Sequence, residues 1–101
     1  VSRRVCDELM RTPGQFPDIG TMAATLGLTD RTLRRHLHRE GTSFSALLAD
    51  VRRALAEDYL RSTRMSIEDI GAALAFDNAR SFRQAFGRWT GRSPTEYRRG
   101  H

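Results

Sequence analysis

The sequence predicts an all-α fold of seven helices, built largely from two copies of one short-helix, turn, longer-helix unit. Three observations carry that expectation. Apolar residues recur at helical spacing between capping residues and glycines, no stretch alternates as a half-buried strand does, and the chain aligns with itself.

The segments follow in order. "SRRVCDELMR" (2–11) reads as a short helix with Val5, Cys6 and Leu9 inward, stopped by Thr12-Pro13-Gly14. "DIGTMAATLG" (18–27) starts at Asp18, a good N-cap, and carries Ile19, Met22, Ala23 and Leu26 at helical spacing before Gly27 ends it. Thr29 then caps "DRTLRRHLHRE" (30–40), which Gly41 closes. "SFSALLADVRRALAEDYLRS" (43–62) is the longest helix, about 30 Å at 1.5 Å per residue, with Phe44, Leu47, Leu48, Val51, Leu55 and Leu60 along it. "SIEDIGAALA" (66–75) opens on a capping-box pattern, Ser66 with Asp69, and the acidic pair Glu68 and Asp69 suits the positive end of the helix dipole. "NARSFRQAFGRWTG" (78–91) follows. "SPTEYRR" (93–99) closes the series, with Ser93 as cap, Pro94 at the first helical position and Glu96 completing a box.

The repeat sets residues 22–48 over residues 70–97. Met22 meets Ile70, Leu26 meets Leu74 and Leu28 meets Phe76. One added residue brings Leu33 onto Phe82 and Leu37 onto Phe86, and a second brings Gly41-Thr42-Ser43 onto Gly91-Arg92-Ser93.

The third helix is unusual in charge. On a wheel with Arg31 at zero, Arg35 falls at about 40°, His38 at about 340° and Arg34 at about 300°. Leu33 and Leu37 fall at about 200° and 240°, on the opposite face. No carboxylate stands between Arg31 and Arg39, whereas an ordinary solvated face mixes signs. The second copy repeats the arrangement. Arg80, Arg83, Gln84 and Gly87 take the places of Arg31, Arg34, Arg35 and His38, opposite Phe82 and Phe86. An incidental surface has little reason to recur in register. A helix, a turn and a second helix with a basic outer face form the pattern of a major-groove reader, in which Arg suits guanine O6 and N7 and Gln suits adenine. Half-sites on one side of B-DNA lie about 34 Å apart, close to the length of the 43–62 helix.

Bulk properties agree. The chain has 101 residues and a formal charge of +5, from 17 basic against 12 acidic residues, and the positive charge is carried by arginine. That balance points to a polyanionic partner. The single cysteine, Cys6, excludes an internal disulfide and suits a reducing, cytoplasmic location. No secretory leader or bilayer-length apolar run is visible. A first residue of Val leads to the expectation of a segment of a longer protein.

Catalysis and metal binding find no support in the residues. His36 and His38 are two apart and face different sides, and Cys6 has no ligand at metal spacing, so no metal and no cofactor are expected. The pairs Asp7-Glu8 and Glu57-Asp58 read as balancing charge for arginines such as Arg52, Arg53 and Arg61. Trp89, Phe82 and Phe86 stand at core spacing. No phosphate loop or nucleophile triad is present, and no enzyme is expected. Two other readings stay open. A DNA-targeting module of an alkylation-repair enzyme would need a reactive cysteine in a metal–thiolate cluster. A membrane-surface or protein-binding module would show broad exposed apolar faces.

These residues resemble the DNA-binding domain of the AraC/XylS-type transcription regulators, from about Asp18 to Arg99. The most specific part is "IEDIGAALAFDNARSFRQAFGRWTGRSPTEYR", through Ile70, Gly71, Leu74, Ala75, Phe76, Phe82, Phe86, Gly91, Ser93, Pro94, Tyr97 and Arg98. Gly71 stands where Ala is usual in that family, Ala75 where Gly is usual, Gln84 where a basic residue is usual and Asn78 where Ser is common. The resemblance implies a helix-turn-helix subdomain over 1–42, a linker helix over 43–62 and a second subdomain over 63–101. It implies sequence-specific binding to double-stranded promoter DNA in successive major grooves, recruitment of RNA polymerase, and any effector bound by a domain outside this segment. By position, Arg31, Thr32, Arg34 and Arg35 would read bases from the first site, and Arg80, Ser81, Arg83 and Gln84 from the second. Thr29 and Asn78, beside the starts of the two helices, would meet the DNA backbone, with His38 a weaker candidate there because it lies late in its helix.

Overall fold

A computed structural model describes residues 1–100. Among the described residues there are seven helices and no strand: α1 (Ser2–Arg11), α2 (Ile19–Thr25), α3 (Asp30–Arg39), α4 (Phe44–Ser62), α5 (Ile67–Ala73), α6 (Ala79–Thr90) and α7 (Pro94–Arg99). The chain divides into two compact units, Val1–Val51 and a second that begins at Arg52, so the division falls inside α4.

Short polar side chains start most of these helices. Asp18, Thr29, Ser66, Asn78 and Ser93 stand in extended backbone and accept from the N–H of Thr21, Thr32, Asp69, Ser81 and Glu96. Ser43 does the same for Ala46 at the head of α4. Each cap satisfies an amide that the helix itself leaves without an acceptor. At Ser93 the box closes both ways, because Glu96 accepts from the Ser93 N–H at 3.1 Å. At Ser66 the hydroxyl half of the box is made, at 3.0 Å to the Asp69 N–H.

In the first unit, α2 and α3 form the helix-turn-helix, and Val5, Leu9, Met22, Ala23, Leu33, Leu37, Leu47 and Val51 are buried. Cys6 was expected inward with Val5 and Leu9 but is only partly covered. Burial first, then the charges of Asp50 and Asp7, push its thiol upward, which disfavours the reactive thiolate. α1 has no side-chain cap of its own residue at Val1. Glu40, at the end of α3, instead accepts from the Ser2 N–H at 3.1 Å.

The second unit repeats the design with rings. Leu55, Ala56, Leu60, Ile70, Leu74, Phe82, Ala85, Phe86, Pro94 and Tyr97 are its buried apolar side chains. Phe86 meets Tyr97 edge-on at 5.4 Å between centroids, and Phe76 lies 5.4 Å from Phe82 and 6.1 Å from half-buried Trp89. Such tilted ring pairs add about 0.5–1.5 kcal/mol each beyond the area they bury.

Arginines tie this unit together, and only in part by balancing charge. Arg53 does pair with Glu57, at 3.5 Å, but it also donates to the Trp89 carbonyl at 2.8 Å. Arg52 turns to backbone, donating to the Leu74 and Ala75 carbonyls at 2.9 Å each, with its guanidinium 3.9 Å from the Phe76 ring centroid. Arg61 donates to the Tyr97 hydroxyl at 3.4 Å. Arg98 reaches the carbonyls of Leu60 and Met65 at 3.1 and 2.7 Å, with longer bonds to Tyr59 and Thr63. The last carbonyls of α4, α5 and α6 lack helical partners, and a guanidinium fork satisfies several at once.

Candidate nucleic-acid interface

The two helix-turn-helix units match down to their hydrogen bonds. In the first turn the Leu28 N–H donates to the Ala23 carbonyl at 2.8 Å, and in the second Phe76 donates to Gly71 at 2.9 Å. The residue before each donor takes positive φ: Gly27 at 72° and Ala75 at 66°. This left-handed residue reverses the chain tightly enough to start the next helix within two or three residues. α3 and α6 then end alike, with Gly41 at φ 77° and Gly91 at φ 74°. At Gly71 α5 approaches α6 closely, since a Cβ there would lie 3.1 Å from the Phe82 Cβ.

On α3, Leu33 and Leu37 are buried, while Arg31, Arg34, Arg35 and Arg39 are exposed. Thr32 is half-buried, and the Thr29 hydroxyl both donates to its hydroxyl at 3.0 Å and accepts from its N–H at 3.2 Å. His36 is partly covered and His38 exposed. Arg34 and His38 line an open groove of about 380 Å³ with Ile19, Leu37 and the start of α4 at Ser43–Ser45. Glu40, the acid that closes the stripe, is committed to the start of α1. Hydrogen bonds from Ser2 hold its carboxyl below the usual carboxylate range.

On α6, Phe82, Ala85 and Phe86 are buried, and Arg80, Arg83 and Gln84 are exposed. Ser81 is half-buried, with its N–H donated to the Asn78 side-chain oxygen at 2.8 Å. A Cβ placed on Gly87 would meet nothing within 4 Å, so no internal contact demands a glycine there. Glu68 stands in the first turn of α5, at the positive end of its dipole. It also accepts from Arg83 at 3.2 Å. No local pattern shows this pair, because its members sit on different helices. Among the described residues, Arg83 is the one basic residue of the two candidate reading faces in an ion pair.

The arrangement offers two exposed rows of hydrogen-bond donors, each on a helix held from behind by its apolar face. No three His, Cys, Asp or Glu side chains gather to hold a metal among the described residues. No helix among them is long and apolar enough to cross a membrane.

A family model described as a helix-turn-helix domain matches residues 22–100. The ornithine utilization regulator of Pseudomonas aeruginosa is 42% identical over 95 residues, which are 94% of this chain and 28% of that protein. The crystal structure of the transcriptional regulator CdpR from Pseudomonas aeruginosa superposes with a TM-score of 0.87 at 37% identity, covering 97% of this chain and 31% of that one. The DNA-binding domain of AdpA, a global transcriptional factor solved in complex with a target DNA, superposes with a TM-score of 0.79 at 25% identity over 98% of this chain and 89% of that one. The chain thus spans less than a third of the ornithine regulator and of CdpR. With this match running from α2 through α7, the chain belongs to the AraC-type family of helix-turn-helix domains.

Proposed function

We propose that this chain is the DNA-binding part of a transcription regulator, and that it binds double-stranded promoter DNA in a sequence-specific way. The observation that carries the reading is the exposed basic row on α3, repeated on α6 in the same register against the same buried positions. Each of these helices enters a major groove, and the two grooves are successive ones. Arg31, Thr32, Arg34 and Arg35 read one half-site, and Arg80, Ser81, Arg83 and Gln84 the other. A guanidinium spans guanine O6 and N7, and the Gln84 amide matches adenine N6 and N7. Thr29, Asn78 and His38 meet the DNA backbone, which sets register and orientation without reading sequence. The chain performs no catalysis of its own and works in the cytoplasm. RNA polymerase is the protein partner, and an effector binds a separate domain of the longer regulator. The family, the regulator relatives and the DNA-bound neighbour support this reading.

Selection of bound duplexes from a random pool tests it, with affinity then measured at several salt concentrations. The expected result is a consensus split into two blocks about one helical turn apart. Enrichment of no sequence, with affinity that only collapses as salt rises, would show charge without readout and overturn the assignment.

A further inference from the structure

Besides Gln84 in the place of Arg35, the two reading faces differ in a paired carboxylate. Arg83 donates to Glu68 at 3.2 Å, and Glu68 comes from the first turn of α5. In the register that sets Met22 on Ile70, Gly20 takes the place of Glu68. Arg34, the counterpart of Arg83, forms no ion pair among the described residues. On the first face the Asp30 carboxylate lies beside Gly20 but makes no ion pair with Arg34, whereas on the second Glu68 holds Arg83.

We propose that Glu68 is a specificity-determining residue, whose carboxylate competes with the DNA backbone for Arg83. The inference rests on the DNA-binding reading above. The pair is solvent-exposed, with 50% of the Arg83 side chain and 63% of the Glu68 side chain accessible. Exposed pairs are weak and exchange readily, so Glu68 delays Arg83 without trapping it. A phosphate offers Arg83 what Glu68 already supplies, an anionic oxygen, and the exchange gains little. A guanine edge offers two acceptors in one plane, which the guanidinium fork meets with two bonds in place of one. On non-cognate DNA Arg83 stays with Glu68, and at the right base pair it leaves. Glu68 thus trims the contribution of α6 to indiscriminate binding more than its contribution to readout. On the α3 face no carboxylate is paired with Arg34, so that arginine acts without such a filter.

The test compares the duplex recovered by selection with a random-sequence duplex, for the wild-type chain and for Glu68→Gln. The variant keeps the size of the side chain and removes its charge. Affinity for random duplex should rise about 1.4- to 5-fold, the range set by exposed ion pairs. The slope of log affinity against log salt on that duplex should steepen by up to about 0.9, one added phosphate contact. Affinity for the selected duplex should rise less, so the ratio falls. In an Arg83→Ala background the same substitution should move neither slope nor ratio. Equal gains on both duplexes, or equal effects with and without Arg83, would show ordinary charge repulsion and overturn the proposal. Weaker binding to the selected duplex alone would mean that Glu68 orients Arg83, and overturns it too. A wild-type chain that does not discriminate removes the DNA-binding reading and this inference together. One that discriminates while Glu68→Gln matches it removes the inference alone.

Discussion

Ala75→Gly should stabilise the second unit. Ala75 sits at φ 66° in the α5–α6 turn, where the matching residue of the first unit is Gly27 at 72°. A Cβ in left-handed backbone crowds the following carbonyl and costs about 1–2 kcal/mol. Removing it relieves that strain, while the extra freedom of glycine in the unfolded chain takes back about 0.4–1 kcal/mol. The net gain is about 1 kcal/mol. The turn keeps its bonds, since the Arg52 guanidinium and the Phe76 N–H engage backbone atoms that the substitution leaves in place. Gly27→Ala is the reciprocal change. Its new Cβ meets nothing within 4 Å, so the cost of about 1 kcal/mol is backbone strain alone. Urea unfolding reads both. With m near 1–2 kcal/mol per molar, the midpoints should move by about 0.5–1 M, upward for Ala75→Gly and downward for Gly27→Ala, at unchanged m. A midpoint that falls for Ala75→Gly would refute the assignment of strain to that residue.

Three other outcomes follow from the same geometry. Arg35→Ala should cost about 1–3 kcal/mol on the selected duplex and relax preference at about one base pair, whereas Arg61→Ala, whose guanidinium serves the Tyr97 hydroxyl, should leave base preference intact; selections repeated with each variant decide. Arg98→Ala should lower stability by about 1.5–3 kcal/mol, and Arg98→Lys should recover little of it in thermal unfolding, because an ammonium cannot span the Leu60 and Met65 carbonyls as a fork does. Acid should weaken the fold through its caps. The Thr21 N–H holds the Asp18 carboxyl below its ordinary value, and the Ser93 N–H does the same for Glu96. Depressed carboxylates stabilise above their unfolded pKa, about 4, and that share is lost as pH falls through the lower folded values. Urea midpoints taken from pH 6 to pH 3 should fall at the acid end, and less so for Asp18→Asn, which keeps the cap without the charge.

The helices and their ends were legible in the sequence because they obey local rules. A cap, an apolar residue every third or fourth position and a terminal glycine suffice to place α3 between Thr29 and Gly41, as the structure has it. The candidate reading faces were legible for a related reason. The period that buries Leu33 and Leu37 also decides which arginines stay outside, and the repeat applied the same test a second time on α6. The resemblance also flagged Ala75 as standing where glycine is usual.

Contacts between distant residues followed no such rule. Arg52, Arg53 and Arg61 looked like partners for nearby acids. Only the folded chain brings Arg52 to the Leu74 and Ala75 carbonyls and Arg53 to that of Trp89. Glu40 looked like the tail of a basic helix, and folding sets it on the first amide of α1. Glu68 read as a dipole residue, and packing of α5 on α6 makes it the partner of Arg83. The sequence alone determined periodicity, caps and the side of each helix that meets solvent, because these depend on neighbours within four residues. The tertiary structure decided which arginine serves backbone, which serves a carboxylate and which stays exposed without an ion pair. Long charged side chains have many reachable partners, and only the fold selects among them.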